Sequence, residues 1–244
     1  MNISSKKRRR SKFFLAMGII GVLAVMIGFA KTFFIPVADR SFKAPFSVYL
    51  HGFFAFAWVL FFLSQSVLIH SKKVKLHMRL GLLGTFLAFG TAITLVPVGI
   101  FTVEKEIQAG LGDTAISGIL GIFTSGLMFL GLFILGYLYR KNLQAHKRLM
   151  LLATIVVLWP AWFRFRHYFP HIERPDIWFA VVLADSLIII AWTWDWLANR
   201  RIHPVLLYLG VFIILEHSFE VLTFDSTPWR QAARVIYDTL SLFG

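Results

Sequence analysis

The chain has 244 residues, 58% of them hydrophobic and only 15% charged, with mean hydropathy +0.72 and a formal net charge of +13. Soluble domains carry about 25% charged residues, so the composition excludes an ordinary soluble fold and points to lipid as the solvent. With no cysteine, disulfides, thiolate metal sites and cysteine nucleophiles are excluded as well.

Residues 1–12 form a basic tail, Lys6-Lys-Arg-Arg-Arg10 followed by Lys12. Seven apolar runs then approach the roughly 20 residues that cross a bilayer. They cover 13–34, 46–69, 80–101, 116–139, 149–163, 177–197 and 205–224, which predicts an all-α transmembrane bundle over 13–224. The first run is too long for a signal peptide and lacks a small-x-small cleavage site, so it reads as an uncleaved anchor. The fifth is short unless Arg164, Arg166 and His167 lie at its end. Connections are expected over 35–45, 102–115 and 164–176 on one side. Beyond the seventh run, Thr227 and Pro228 look like a helix cap and first residue. Trp229, Ala232, Ala233, Ile236, Leu240 and Phe243 then recur at helical spacing. Residues 225–244 are therefore expected as an amphipathic helix, either lying in the outer interface or packed on the end of the bundle.

Charge sets an orientation. If the N-terminus is cytoplasmic, the tail and the three segments around Lys72–Arg79, Arg140–Arg148 and Arg200–Arg201 hold 16 of the 25 basic residues but one acid, Asp195. Such a bias marks the inside, placing the C-terminus outside. The basic balance is then a matter of topology and anionic lipid headgroups, with no call for nucleic acid.

The second to seventh runs read as three hairpins, each turning through a histidine among Lys and Arg: His77, His146 and His203. The eight histidines fall into an inner layer (His70, His77, His146, His203) and an outer one (His51, His167, His171, His217). Helices with a histidine near each end could hold stacked haem through axial imidazoles, His51, His77, His146 and His203 being the candidates. The scaffold reading is that His77, His146 and His203 contact headgroups and loops. Toward the outer side, His167, His171, Glu216, His217 and Glu220 offer imidazole and carboxylate ligands without sulfur, a set suited to zinc or another divalent metal. Those residues could equally meet water or pair with Arg164 and Arg166. Asp185 is the deepest acid and needs a partner, a proton or a ligand. His51, Trp58 and Gln65 recur every seven residues, a stripe expected to face the interior. No Walker, dinucleotide or G-x-S-x-G pattern occurs, and the seventh run has no lysine for a retinal Schiff base.

The motifs His51-Gly52, Trp58, Gln65, Leu76-His77-x-Arg79-Leu80-Gly81, His146-Lys-Arg-Leu-Met, Pro160, Asp185 and Arg201-x-His203-Pro204 resemble a family of uncharacterised bacterial inner-membrane proteins. Their histidine layout is similar to that of b-type membrane cytochromes. The resemblance implies a multi-span fold in a bacterial inner membrane and supplies no activity. Three functions stay open: a haem- or quinone-binding redox protein, a non-enzymatic assembly, sensor or transport protein, and a metal-dependent seven-span hydrolase.

Overall fold

The computed structural model describes the backbone of residues 3–242 and the side chains of residues 12–242. The side chains of Lys6 to Arg10, and Phe243, lie outside the described residues. Seven helices are long and apolar enough to cross a membrane: α1 (Lys12–Ala38), α2 (Phe46–His70), α3 (Val74–Gln108), α4 (Asp113–Lys141), α5 (Leu143–His167), α6 (Asp176–Asn199) and α7 (Pro204–Thr223). An eighth helix, α8 (Thr227–Ser241), follows. Among the described residues there is no strand.

Successive helices run antiparallel, so the bundle has two ends. The basic end gathers the turns before α3, α5 and α7, where Lys72, Lys73, Arg140, Lys141, Arg200 and Arg201 are all exposed. The far end carries the turns before α2, α4 and α6. Neighbours in sequence pack together from α1 to α5, and α5 closes back onto α1 and α2 while also carrying α6 and α7. It is therefore the central helix, 61% buried over its apolar window against 22–39% for the others. Its mean hydropathy of 1.4 is nonetheless the lowest of the seven. A helix surrounded by protein need not be as apolar as one facing lipid, because neighbouring helices can satisfy its polar groups.

Small residues let the backbones approach. A Cβ at Gly28 would stand 2.9 Å from the carbonyl carbon of Ala161, so α1 and α5 touch main chain to main chain there. Trp58 fills the space between α2 and α4, its ring edge-on to Phe129 at 5.1 Å and Phe133 at 5.7 Å. The stripe of α2 thus faces inward as its spacing implied, although neither amide atom of Gln65 finds a partner among the described residues.

Helix geometry departs from the regular form at two places. Ala30–Phe34 of α1 and Asp176–Leu183 of α6 are π-helical. Such widened turns shift the register of the side chains that follow, and they gather at functional sites. Both lie in the far half of the bundle. At that end α3 stays helical to Gln108, so the connection expected over 102–115 shrinks to residues 109–112, with Gly110 and Gly112 at positive φ.

The amphipathic C-terminal segment packs on the bundle. Ala233 of α8 is buried with Val103, Ala115, Ile116 and Ile119; Trp229 is buried too, its Nε1–H donating to the Ser117 carbonyl at 3.0 Å. Asp225, in the preceding turn, accepts from Arg230 at 2.6 Å, Ser117 at 2.8 Å and Thr114 at 2.9 Å. Those bonds, Arg230's first, hold its carboxyl well below the usual carboxylate range.

Candidate functional site

The helices α5, α6 and α7 are joined by two polar clusters. The first lies toward the basic end and centres on Asp195 of α6. Its carboxylate receives Arg148 Nε at 3.1 Å, a second N–H from Arg148 Nη2, Asn199 Nδ2 at 2.6 Å and the His203 backbone N–H at 2.8 Å. Arg148 Nη1 donates to the Gln144 carbonyl at 2.8 Å and to its side-chain oxygen at 2.9 Å. Both charged side chains are 5% exposed. His203 caps α7, its Nδ1 accepting from the Val205 N–H at 3.3 Å. Burial pushes the His203 imidazole down from its ordinary value, and the nearby Arg148 adds to the effect.

The second cluster lies in the far half. There the inward stripe of α7 changes character: Leu206, Gly210 and Ile213 are apolar, and His217 and Glu220 continue the same face. The His217 ring, 1% exposed, donates from Nδ1 to Asp185 Oδ1 at 2.8 Å. Asp185 is reached because α6 regains α-helical geometry at Ala184, immediately after its π segment. Glu216 Oε2 stands 4.0 Å from His217 Nε2. The Trp159 ring of α5 lies 6.2 Å from the imidazole. Glu220 points at Gly121 of α4, where any Cβ would collide with its carboxylate.

What distinguishes this cluster is its unmet hydrogen-bonding capacity. Asp185 Oδ2, Glu216 Oε2, His217 Nε2 and the Trp159 Nε1 are all buried without a partner among the described residues, as is the Trp162 Nε1 three positions along α5. Buried polar atoms are normally satisfied, so a group of them in one place marks where a proton, a water or a ligand belongs. The Asp185 carboxylate fixes the His217 proton on Nδ1 and leaves Nε2 to accept or donate, the orienter–base relation that proton-transfer sites use.

The remaining sequence candidates are scattered. Glu216, His217 and Glu220 do come together with Asp185, whereas His167 and His171 stay exposed at the far end, outside that group. Among the described residues no set of three or more His, Asp or Glu side chains is arranged to hold a metal ion. Of the four histidines considered for haem, His77 and His146 approach each other, ring centroids 6.4 Å apart and nearly perpendicular. The His146 Nδ1 bonds to the Gly136 carbonyl at 2.8 Å. His51 sits in the far half with Nδ1 3.1 Å from Thr94 Oγ1, and His203 belongs to the Asp195 network. Sequence reasoning missed Arg148–Asp195, although a lone acid among basic residues was a signal for it. It also missed Trp159, Trp162 and Gly121, whose roles depend on which helices meet. In comparisons with protein families, characterised proteins and solved structures, nothing matches this chain.

Proposed function

We propose that this chain is a multi-pass protein of a bacterial cytoplasmic membrane that exchanges protons at the Asp185–His217 centre while binding a polar ligand, as a proton-coupled transporter or sensor does. The observation that carries the reading is the set of four buried, unpartnered polar atoms around the His217 ring. Polar groups at bilayer depth are costly, and such groups characteristically line ion or proton paths. Asp185 stabilises the imidazolium once Nε2 takes a proton. Glu216 and Glu220, on the same helix face, supply or receive it. Glu216 keeps 19% of its side chain exposed, a route by which the centre reaches the outside of the bundle.

The orientation belongs to the same proposal. Exposed Lys and Arg collected at one end favour that end as cytoplasmic, facing anionic headgroups, with the N-terminus in and the C-terminus out.

The test uses the reconstituted protein. Tryptophan emission, titrated between about pH 4 and 9 to bracket the ordinary histidine value of about 6.5, is expected to show quenching as His217 takes its second proton, and the signal should vanish in W159F and in H217Q. An unchanged titration in H217Q overturns the reading.

A second reading, a haem- or quinone-binding redox protein, is favoured by the His77–His146 pair. The Gly136 carbonyl bond to His146 Nδ1 is the kind of outer contact that fixes a ligating imidazole. Oxidised and dithionite-reduced spectra with elemental analysis of one preparation decide it. A colourless, iron-free protein from haem-replete cells removes haem from consideration.

A further inference from the structure

We propose that the wedge between α1 and α5 at the far end is a binding site for a phosphate-bearing anion, with Arg164 as its principal binding group. Three cations on the far-end surface meet acids: Arg174 meets Asp176 at 2.7 Å, Arg230 meets Asp225 at 2.6 Å and Arg234 meets Asp113 at 2.8 Å. Arg164 lies deeper, and among the described residues no carboxylate stands within ion-pair distance of it.

Its own contacts are aromatic and main-chain, its charged neighbour is Arg166, and Glu106 of α3 acts on Arg166. The guanidinium lies over the Phe29 ring of α1, 4.1 Å from the centroid, one residue beyond the Gly28–Ala161 backbone contact. One N–H goes to the Pro160 carbonyl of its own helix at 2.9 Å. Arg166 spends an N–H on the Phe163 carbonyl at 3.0 Å and stacks on the Phe163 ring. Arg164 and Arg166 are near enough to repel one another, and His51 feels Arg164 from α2. Lys31, carried by the π turn of α1, donates to the His167 carbonyl at 3.0 Å. The buried Thr32 hydroxyl of the same turn has no partner among the described residues.

A guanidinium carries five N–H donors in a planar fork that matches two oxygens of a phosphate or carboxylate. Holding it among other cations near the apolar zone, with one main-chain acceptor, is unfavourable unless an anion completes the site. Arg164 lies three residues from the end of α5, about 5 Å along the helix axis, which is headgroup depth. A phosphate is the anion abundant there, carried by a lipid or free in solution.

Native mass spectrometry of the purified full chain tests this with three probes: phosphatidylglycerol, diacylglycerol lacking the phosphate, and inorganic phosphate. The wild type is expected to retain phosphatidylglycerol about tenfold better than diacylglycerol, R164Q to lose that preference, and R174Q to keep it. Displacement by inorganic phosphate identifies a site open to the free anion, and resistance to it identifies a lipid headgroup. If R164Q does not fold, phenylglyoxal labelling of the wild type replaces it: phosphatidylglycerol should protect Arg164 and leave Arg174 reactive. Equal retention of both lipids, retention in R164Q, or no protection of Arg164 overturns the proposal.

Discussion

Asp195 and Asp185 occupy the same helix ten residues apart, both buried at 3–4% exposure, and each reaches across to α7. Their surroundings differ. Asp195 receives donors from α5, from its own helix and from the start of α7, and Arg148 gives two further N–H groups to Gln144. Asp185 receives one donor and leaves Oδ2 bare, beside a histidine whose Nε2 is bare too. The saturated cluster fixes how three helices stand against one another. The unsaturated one leaves buried polar atoms without partners among the described residues, the feature on which the proposed function rests. In a bilayer interior, where water cannot make up the deficit, that difference separates scaffold from site more reliably than residue type does.

The sharpest way to break this comparison is to remove one partner from the saturated cluster. Arg148→Leu strands the Asp195 charge, and the loss expected for such a buried pair is about 3–5 kcal/mol. In a membrane bundle this should appear as a collapse of the monodisperse fraction after detergent extraction. The double variant R148L/D195L, which leaves no orphaned charge, should recover most of the folded protein. A folded R148L single variant would place the Asp195 network on the same footing as the Asp185 cluster.

The next effect is smaller and of opposite sign. Glu220→Gln removes one of three carboxylates that crowd a single imidazole, so its thermal unfolding temperature should hold or rise, within about 1 kcal/mol of the wild type. The tryptophan titration should change, because a carboxyl group beside the imidazole is gone. Unfolding as severe as that of R148L would make Glu220 a structural group.

The seven long apolar helices, the inward stripe of α2, the amphipathic α8 and the need of Asp185 for a partner were legible in the sequence, because each is a matter of local period, length or the cost of one buried charge. The partner of Asp185 was not. His217 lies 32 positions away, and only the order of helices and the π segment at Asp176–Leu183 bring the two together. The fifth span illustrates the same limit from another side. Its Lys, Arg and His residues make it the weakest hydropathy signal of the seven, and it is the central helix. Hydropathy reports exposure to lipid, and a helix enclosed by protein escapes that requirement. His167 and His171 were grouped with Glu216 and His217 by residue type and by their place toward the outer side, whereas His167 ends α5 and His171 follows it, both exposed at the far end.

A third test concerns whether saturation outside the bundle core behaves as it does inside. Asp225→Ala removes the carboxylate that joins α8 to α4 through Thr114, Ser117 and Arg230. Amides of residues 227–241 should exchange faster while the spans are unaffected. The pH dependence has a definite sign. The folded value of Asp225 is depressed, so its contribution is complete above the ordinary aspartate value of about 3.9 and is lost as pH falls through the lower folded value. Docking of α8 should therefore persist throughout mildly acidic buffer. Unchanged exchange in D225A would show that Trp229 packing, rather than Asp225, governs the helix.

The smallest effect is expected at the edge of the saturated cluster. His203 caps α7 through Nδ1, and a lost side-chain cap costs about 1 kcal/mol, so His203→Ala should lower the unfolding temperature slightly with helix content unchanged. The cap requires the neutral ring, since a protonated Nδ1 cannot accept the Val205 N–H. Burial and Arg148 hold the folded value below the ordinary one, so the unfolded chain binds the proton first as pH falls. Wild-type stability should thus decline as pH drops below about 6.5, through the window ending at the lower folded value, and H203A should lack that part of the decline. An identical pH profile in both proteins would assign the acid sensitivity elsewhere, and the Asp185–His217 centre would become the first place to look.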